Sequence, residues 1–290
     1  GEARTHVGGT SARKSNVKLS AAAINGYTMN TGDVFSYNGV VGQRTAANGY
    51  QAAPAYVKGE TVDEIGGGIC QTSSTLYLAC LRSNLEITER YAHRYIPAYI
   101  TAGMDATVSW GGPDYKFTNN TQYPIKIVTA YADGYLTVKV LGTNVDGTSV
   151  KMTNEWLSTT PYEVVYEDDS TLPAGTEKVK TSPYTGYKYR TYRNVYDANG
   201  KLISSTYEAT SDYKSRDKVV LRGPAVESPD TPVLGPEEIP VPSEPGDVTP
   251  AEPGELPEPP TDSANPPETD SGQSPETTPP PLIVIPEEGI

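Results

Sequence analysis

Cys70 is one of only two cysteines in the chain, and its neighbours make it the first place to look for chemistry. It follows Gly66-Gly67-Gly68-Ile69 and leads into Gln71-Thr72-Ser73-Ser74-Thr75-Leu76-Tyr77. Glycine permits turns and close backbone approaches that other residues resist. Thr72, Ser73 and Ser74 suit a helix start. Leu76, Tyr77, Ala79, Cys80 and Leu81 then recur as an apolar face. The pattern predicts a helix that begins at or beside Cys70 and ends near Asn84. A thiol there lies among unpaired N–H groups at the positive end of the helix dipole, which favours its anion. Helix N-termini can lower a thiol from about 8.5 to roughly 3.5–7.5.

A nucleophilic thiolate needs a base, and the base needs an orienting group. Of the two histidines, His6 falls in a polar lead-in, while His93 falls on the strand expected after the helix. Asp105 opens the next expected strand. Adjacent antiparallel strands would set His93 beside Asp105, and the N–H groups of Cys70 and Gln71 would offer an oxyanion hole. Strand alternation would place Tyr91, His93 and Tyr95 on one face, with the tyrosine rings walling a pocket. The catalytic candidates are therefore Cys70, His93 and Asp105. The binding candidates are Gly66, Gly67, Gly68, Gln71, Tyr91 and Tyr95. By spacing alone, Glu89 or Asp114 fits the orienting role as well as Asp105 does. The competing reading makes Cys70 a small buried hydrophobe and His93 a structural residue. A four-ligand Cys/His spacing is absent, and the three glycines lack the Gly-Lys-Ser/Thr of a phosphate loop. Neither a metal nor a cofactor is expected.

The elements that must carry these residues read as follows. Residues 1–15 form a loose lead-in, and Asn16 to Asn25 a short helix closed by Gly26. A loop and short strand follow over Met29 to Gly42, and a strand over Tyr56 to Glu60. After the Cys70 helix, strands are expected at Leu85–Tyr95, Ala106–Trp110 and Tyr115–Thr118. Ile125–Tyr131 and Tyr135–Leu141 flank Ala132-Asp133-Gly134, a strong hairpin signal. The fold class is an α+β N-terminal domain over 13–142, a central helix on an antiparallel sheet. Residues 143–162 read as a connector. Residues 163–223 read as a small all-β module, with two long strands joined at Asp197–Gly200. The tail, 224–290, is acidic and Pro/Glu-rich, and is expected to be disordered.

The net charge of −13 comes from that tail. No Lys or Arg follows Arg222, and 15 of the 36 acidic residues lie at or beyond Glu227, so the remaining 21 nearly balance the 23 basic ones. A nucleic-acid binder would need a basic stripe, which is absent. The 21 tyrosines against 2 phenylalanines suit half-exposed strands and surfaces that stack on sugars or peptides. Cys70 and Cys80 on one helix would be roughly 15 Å apart, too far for a disulfide. No run of about 18 apolar residues spans a membrane. No signal peptide opens the chain, which starts at Gly1, as a processed form or fragment would.

The first domain resembles the VanW family of bacterial surface proteins. The resemblance rests on Gly32-Asp33-Val34-Phe35-Ser36-Tyr37-Asn38, Val41-Gly42-Gln43-Arg44-Thr45, Gly49-Tyr50, the stretch from Gly66 to Tyr77, Glu89-Arg90, His93, and Gly103-Met104-Asp105-Ala106-Thr107-Val108. It implies an association with glycopeptide-resistance gene clusters and supplies no catalytic assignment. The module with Gly175, Gly186, Gly200 and Gly223 resembles the G-five (G5) domain. That resemblance implies an extracellular bacterial setting and binding of N-acetylglucosamine-containing wall polymers. The order Cys, His, Asp also resembles transglutaminase-like thiol enzymes. Two functions are thus expected. One is an envelope protein that binds cell-wall glycan or peptide. The other is a thiol enzyme acting by acyl transfer or hydrolysis on wall peptides. The expected location is extracellular or at the cell envelope.

Overall fold

The protein is described by a computed structural model covering residues 1–57 and 60–226. The expected tail disorder, from residue 227 on, lies outside the described residues.

The central element is helix α3, Cys70–Arg82, in which every residue from Gln71 to Leu81 is buried. It was expected to show one apolar face, but it is enclosed on all sides. Strands β1 (Glu2–His6), β6 (Glu86–Glu89), β9 (Tyr135–Leu141) and β10 (Ser149–Thr160) pack around it, with helix α1 (Ser11–Ile24). Its hydroxyl residues survive burial because each has a partner. Thr72 bonds Ser20 at 2.7 Å and Thr75 bonds Thr5 at 2.9 Å. Thr72, Ser73 and Ser74 therefore tie the helix to its neighbours, whereas the sequence suggested capping. The cap position is Ile69, without a side-chain hydrogen bond.

The main sheet has the order β1-β9-β8-β2, with β2 at Thr28–Met29 and β8 at Ile125–Ala132, all antiparallel. The β8–β9 hairpin turns at Asp133 and Gly134, both at positive φ, as its sequence predicted. The lead-in is not loose: β1 pairs with β9 from Glu2↔Lys139 to His6↔Tyr135. Alternate residues Ala3 and Thr5 face the core. Helix α1 starts at Ser11, not Asn16, with Thr10 capping the Arg13 N–H at 3.2 Å. A smaller sheet joins β3 (Val34–Ser36), which runs into helix α2 (Tyr37–Val41), with β7 (Lys116–Thr118) and β6. Strands β4 (Ala52–Val57) and β5 (Glu60–Ile65) pair where one strand was expected.

Two further expectations change. Strand β6 stops at Glu89, so His93 lies in a loop; Ala106–Trp110 is also loop rather than strand. The stretch read as a connector contains β10, paired antiparallel with β13 (Gly186–Tyr196) from Ser149↔Tyr196 to Thr160↔Gly186. Strand β13 pairs in turn with β14 (Leu202–Tyr213), the two long strands read from the sequence. A second small sheet joins β11 (Val164–Asp168), β15 (Lys218–Arg222) and β12 (Glu177–Thr181), with β11 and β15 parallel. This part is all-β.

Candidate active site

Cys70 is the first residue of α3, and the turn before it is shaped by its glycines. Gly66 and Gly68 have φ of +88° and +101°, a region that favours glycine. A Cβ on Gly67 would meet the Ala53 carbonyl oxygen at 2.1 Å, one on Gly68 would meet Arg13 Cγ at 2.6 Å, and one on Gly66 would meet Arg44 Cβ at 2.9 Å. The glycines thus clear space for the β4 backbone and for two arginine stems.

The loop from Gly103 to Val108 lies against the start of α3. Ser73 Oγ donates to the Ala106 carbonyl at 2.7 Å, and the Ala106 N–H donates to Ser74 Oγ at 2.9 Å. Thr107 N–H donates to the Tyr91 carbonyl at 2.8 Å, which joins this loop to the one carrying His93. The two loops meet at Asp105, which is fully buried. Asp105 Oδ2 lies 2.6 Å from His93 Nδ1 and accepts the His93 backbone N–H at 2.7 Å. Asp105 Oδ1 accepts from Arg90 Nη2 at 3.0 Å and from the Tyr213 hydroxyl. With Nδ1 held by Asp105, Nε2 is left for the Cys70 thiol, which lies within hydrogen-bonding reach of the ring. The thiol is also 3.4 Å from the Val108 carbonyl oxygen.

The structure therefore brings Cys70, His93 and Asp105 together, through two loops rather than two paired strands. The other carboxylates considered are engaged elsewhere. Glu89 pairs with Lys116 at 2.7 Å. Asp114 accepts from Ser36 Oγ and the Asn38 N–H at 2.6 and 2.8 Å. Gln71 is buried and structural: its Nε2 donates to Thr5 Oγ1 and to the His6 carbonyl, and its Oε1 accepts from Arg13 at 2.8 Å. The Gln71 N–H, offered as half of an oxyanion hole, is occupied by the Gly68 carbonyl at 3.0 Å. Tyr91 and Tyr95 do not share a strand face with His93, because no strand runs there. Tyr91 is exposed, and Tyr95 is buried against Tyr184 with ring centroids 4.8 Å apart.

The electrostatics follow from these contacts. Burial alone would raise Cys70, but the hydrogen bond and charge of His93, the Val108 backbone and the charge of Arg44 together lower it. Burial would lower His93, yet its bonds to Asp105 and Cys70 raise it to about 9. Burial would raise Asp105, but His93 and Arg90 hold it at about 2. A depressed thiol beside a raised imidazole favours a thiolate–imidazolium pair. Cys80, ten residues on, is wholly buried and pushed up to about 12 by that burial. Both cysteines are free.

Sequence reasoning missed four residues here. Arg90 is nearly buried; its Nε donates to the Asp105 carbonyl at 2.6 Å and its Nη1 to Ser211 Oγ at 2.8 Å. Tyr213, from β14, also accepts the Gly103 N–H at 2.6 Å. Arg13 and Arg44 flank the turn before Cys70. Among the described residues, no group of three or more His, Cys, Asp or Glu side chains is placed to hold a metal, and no helix is long and apolar enough to cross a membrane.

Residues 12–141 match the family model described as VanW like protein, and residues 150–225 match the G5 domain model. Among curated relatives, the uncharacterized protein YoaR of Bacillus subtilis (strain 168) is 41% identical over 152 residues, covering 52% of this chain and 50% of the relative. The vancomycin B-type resistance protein VanW of Enterococcus faecalis (strain ATCC 700802 / V583) is 31% identical over 117 residues, covering 39% of this chain and 42% of the relative. The chain thus spans about half the length of the curated relatives it matches. Solved structures that match include the IgA1 protease G5 domain (18% identity, TM-score 0.20, 27% of this chain and 94% of that one) and HP0197-G5 (17% identity, TM-score 0.17, 26% and 97%).

Proposed function

We propose that this chain, a VanW-like domain followed by a G5 domain, is a cell-envelope thiol enzyme that transfers or hydrolyses acyl groups on cell-wall peptides. The observation that carries the reading is the contact chain Cys70–His93–Asp105, with Nδ1 to Oδ2 at 2.6 Å and Nε2 left for the thiol. The Cys70 thiolate attacks an amide carbonyl. The C–N bond breaks, a C–S thioester forms, and the proton on His93 Nε2 goes to the leaving amine. An acceptor amine or water then attacks the thioester, His93 takes its proton, and the Cys70 thiolate is released. Asp105 holds the imidazole and stabilises its cationic form throughout. Wall peptides are the substrate class proposed by analogy, since the Enterococcus relative is a vancomycin-resistance protein. The G5 domain would hold wall glycan, which places the chemistry beside its substrate.

The test is intact-protein mass spectrometry after incubation with purified wall muropeptides. The expected result is an acyl adduct on Cys70, absent in Cys70→Ala, together with iodoacetamide labelling of Cys70 below about pH 8. Absence of any adduct, with labelling only above that pH, sinks the enzymatic reading. A pull-down of the full chain on purified peptidoglycan tests the binding role separately, and no retention would overturn it.

A further inference from the structure

Arg13 and Arg44 stand on either side of the glycine turn that delivers Cys70, and neither has a carboxylate partner among the described residues. Arg13 donates from Nη1 to the Gly8 carbonyl at 2.9 Å and from Nη2 to Gln71 Oε1 at 2.8 Å. Arg44 donates twice from Nη1, to Asn38 Oδ1 at 2.8 Å and to the Gly42 carbonyl at 2.9 Å. A guanidinium has five N–H donors, so each retains unused donors. Both side chains are half-buried. By contrast, two arginines whose side chains are only 6% and 10% exposed are neutralised: Arg90 by Asp105 at 3.0 Å and Arg193 by Glu208 at 2.8 Å. Keeping two partly buried cations on neutral acceptors alone carries a desolvation cost, and an anion arriving from outside would offset it. Aromatic rings border the place: Tyr99 lies 5.9 Å from the Arg13 guanidinium carbon, and Trp110, 53% exposed, lies 6.0 Å from that of Arg44. Both cations are close enough to act on the Cys70 charge.

We propose that Arg13 and Arg44 form a carboxylate-binding subsite beside Cys70, which takes a carboxylate on the acyl donor close to the carbonyl that the thiol attacks. Arginine suits the task because its planar fork matches a carboxylate in two parallel hydrogen bonds. The substrate assignment rests on the acyl-transfer reading above, whereas the anion preference stands on the arginines themselves.

The experiment compares alkylation of Cys70 in the full chain by iodoacetate and by iodoacetamide. Both reagents attack the same thiolate, so the ratio of their second-order rate constants cancels the thiolate fraction and leaves the effect of the carboxylate. Arg44→Gln removes a charge-assisted hydrogen bond to the carboxylate, so it should lower the iodoacetate-to-iodoacetamide ratio by about tenfold or more. Arg44→Lys should fall between that variant and the wild type, and Arg13→Gln should lower the ratio in the same sense. Unfolding would be seen as labelling of Cys80, and if Arg13→Gln unfolds, Arg44→Gln decides. An unchanged ratio in Arg44→Gln overturns the subsite. A lowered ratio with no acyl adduct from any muropeptide would retain the subsite and reject the acyl-transfer reading.

Discussion

The two units of the chain solve the burial problem differently. The VanW-like unit wraps sheets and α1 around one helix, and with β10 of the second unit added α3 is buried on every side. The G5 unit is thin: on β11 every residue is exposed, Val164, Val165 and Tyr166 included. Most of the residues it does bury lie on β13 and β14, and four of these meet the first unit. Tyr213 reaches Asp105, Ser211 reaches Arg90, Arg193 donates to the Leu85 carbonyl at 2.8 Å, and Thr191 packs on Gly103, where a Cβ would come within 2.4 Å of it. The thin module is thus most buried where it docks, and what it docks against is the back of the candidate site. The second unit is part of the wall that holds Asp105.

If that contrast is right, the largest effect belongs to the buried carboxylate. Asp105→Ala leaves Arg90 buried without its partner and should cost about 3–5 kcal/mol, read as a lowered urea midpoint; a loss below about 1 kcal/mol would mean the two units are not joined through this network. Asp105→Asn should retain more stability but lower thioester formation by about 10²–10⁴-fold, measured as the rate of Cys70 acylation. Tyr213→Phe, wholly within the second unit, should slow the same step roughly tenfold through one lost charge-assisted bond and raise the pKa of His93, followed by NMR titration, because the Asp105 carboxylate loses a donor that draws on its charge; an unaltered pKa would confine the second unit to tethering. The pH dependence of stability sharpens the point. Asp105 lies below its ordinary 3.8, at about 2, so its contribution is fully present above 3.8 and lost as pH falls toward 2. His93 lies above its ordinary 6.5, at about 9, so its contribution is present below 6.5 and lost as pH rises through about 9. Thermal unfolding midpoints should therefore decline on the alkaline side, and less so in Asp105→Asn. The smallest effect is expected at the exposed Lys180–Glu167 pair of the module, 2.7 Å apart. Glu167→Gln should change stability by less than about 1 kcal/mol and leave acylation untouched.

The sequence exposed the site in outline because its chemistry is carried by rare residue types in order: one cysteine at a glycine-led helix start, one histidine beyond it, one aspartate next. The hairpin at Asp133-Gly134 and the long pair joined at Asp197–Gly200 were legible because their turn residues are local signals. What was not legible depends on distant partners. Strand β1 has only five residues, and its identity is set by pairing with β9, some 130 residues away. Alternation around His93 suggested a strand, but Asp105 captures both the backbone N–H and the ring of His93, and the chain turns around that carboxylate instead. Tyr213 had no marker at all; it is one tyrosine among 21 until β14 places it 108 residues from its partner. Arg13 and Arg44 were hidden for a related reason, since only the folded turn shows that Gly68 and Gly66 make room for them.

The two serines after Cys70 have a consequence of a different kind. They hold one residue at both of its backbone groups, Ser73 at the Ala106 carbonyl and Ser74 at the Ala106 N–H, much as a neighbouring strand would. The residue next to Asp105 is thereby fastened to the helix that carries the thiol. Slow exchange with solvent deuterium normally marks the interior of helices and sheets; here it should extend to the amide of Ala106, a loop residue that opens only when α3 itself comes apart. The separation between the Cys70 thiol and the Asp105 carboxylate is then set by the rigidity of a buried helix rather than by the looser motions of the loop in which the carboxylate sits.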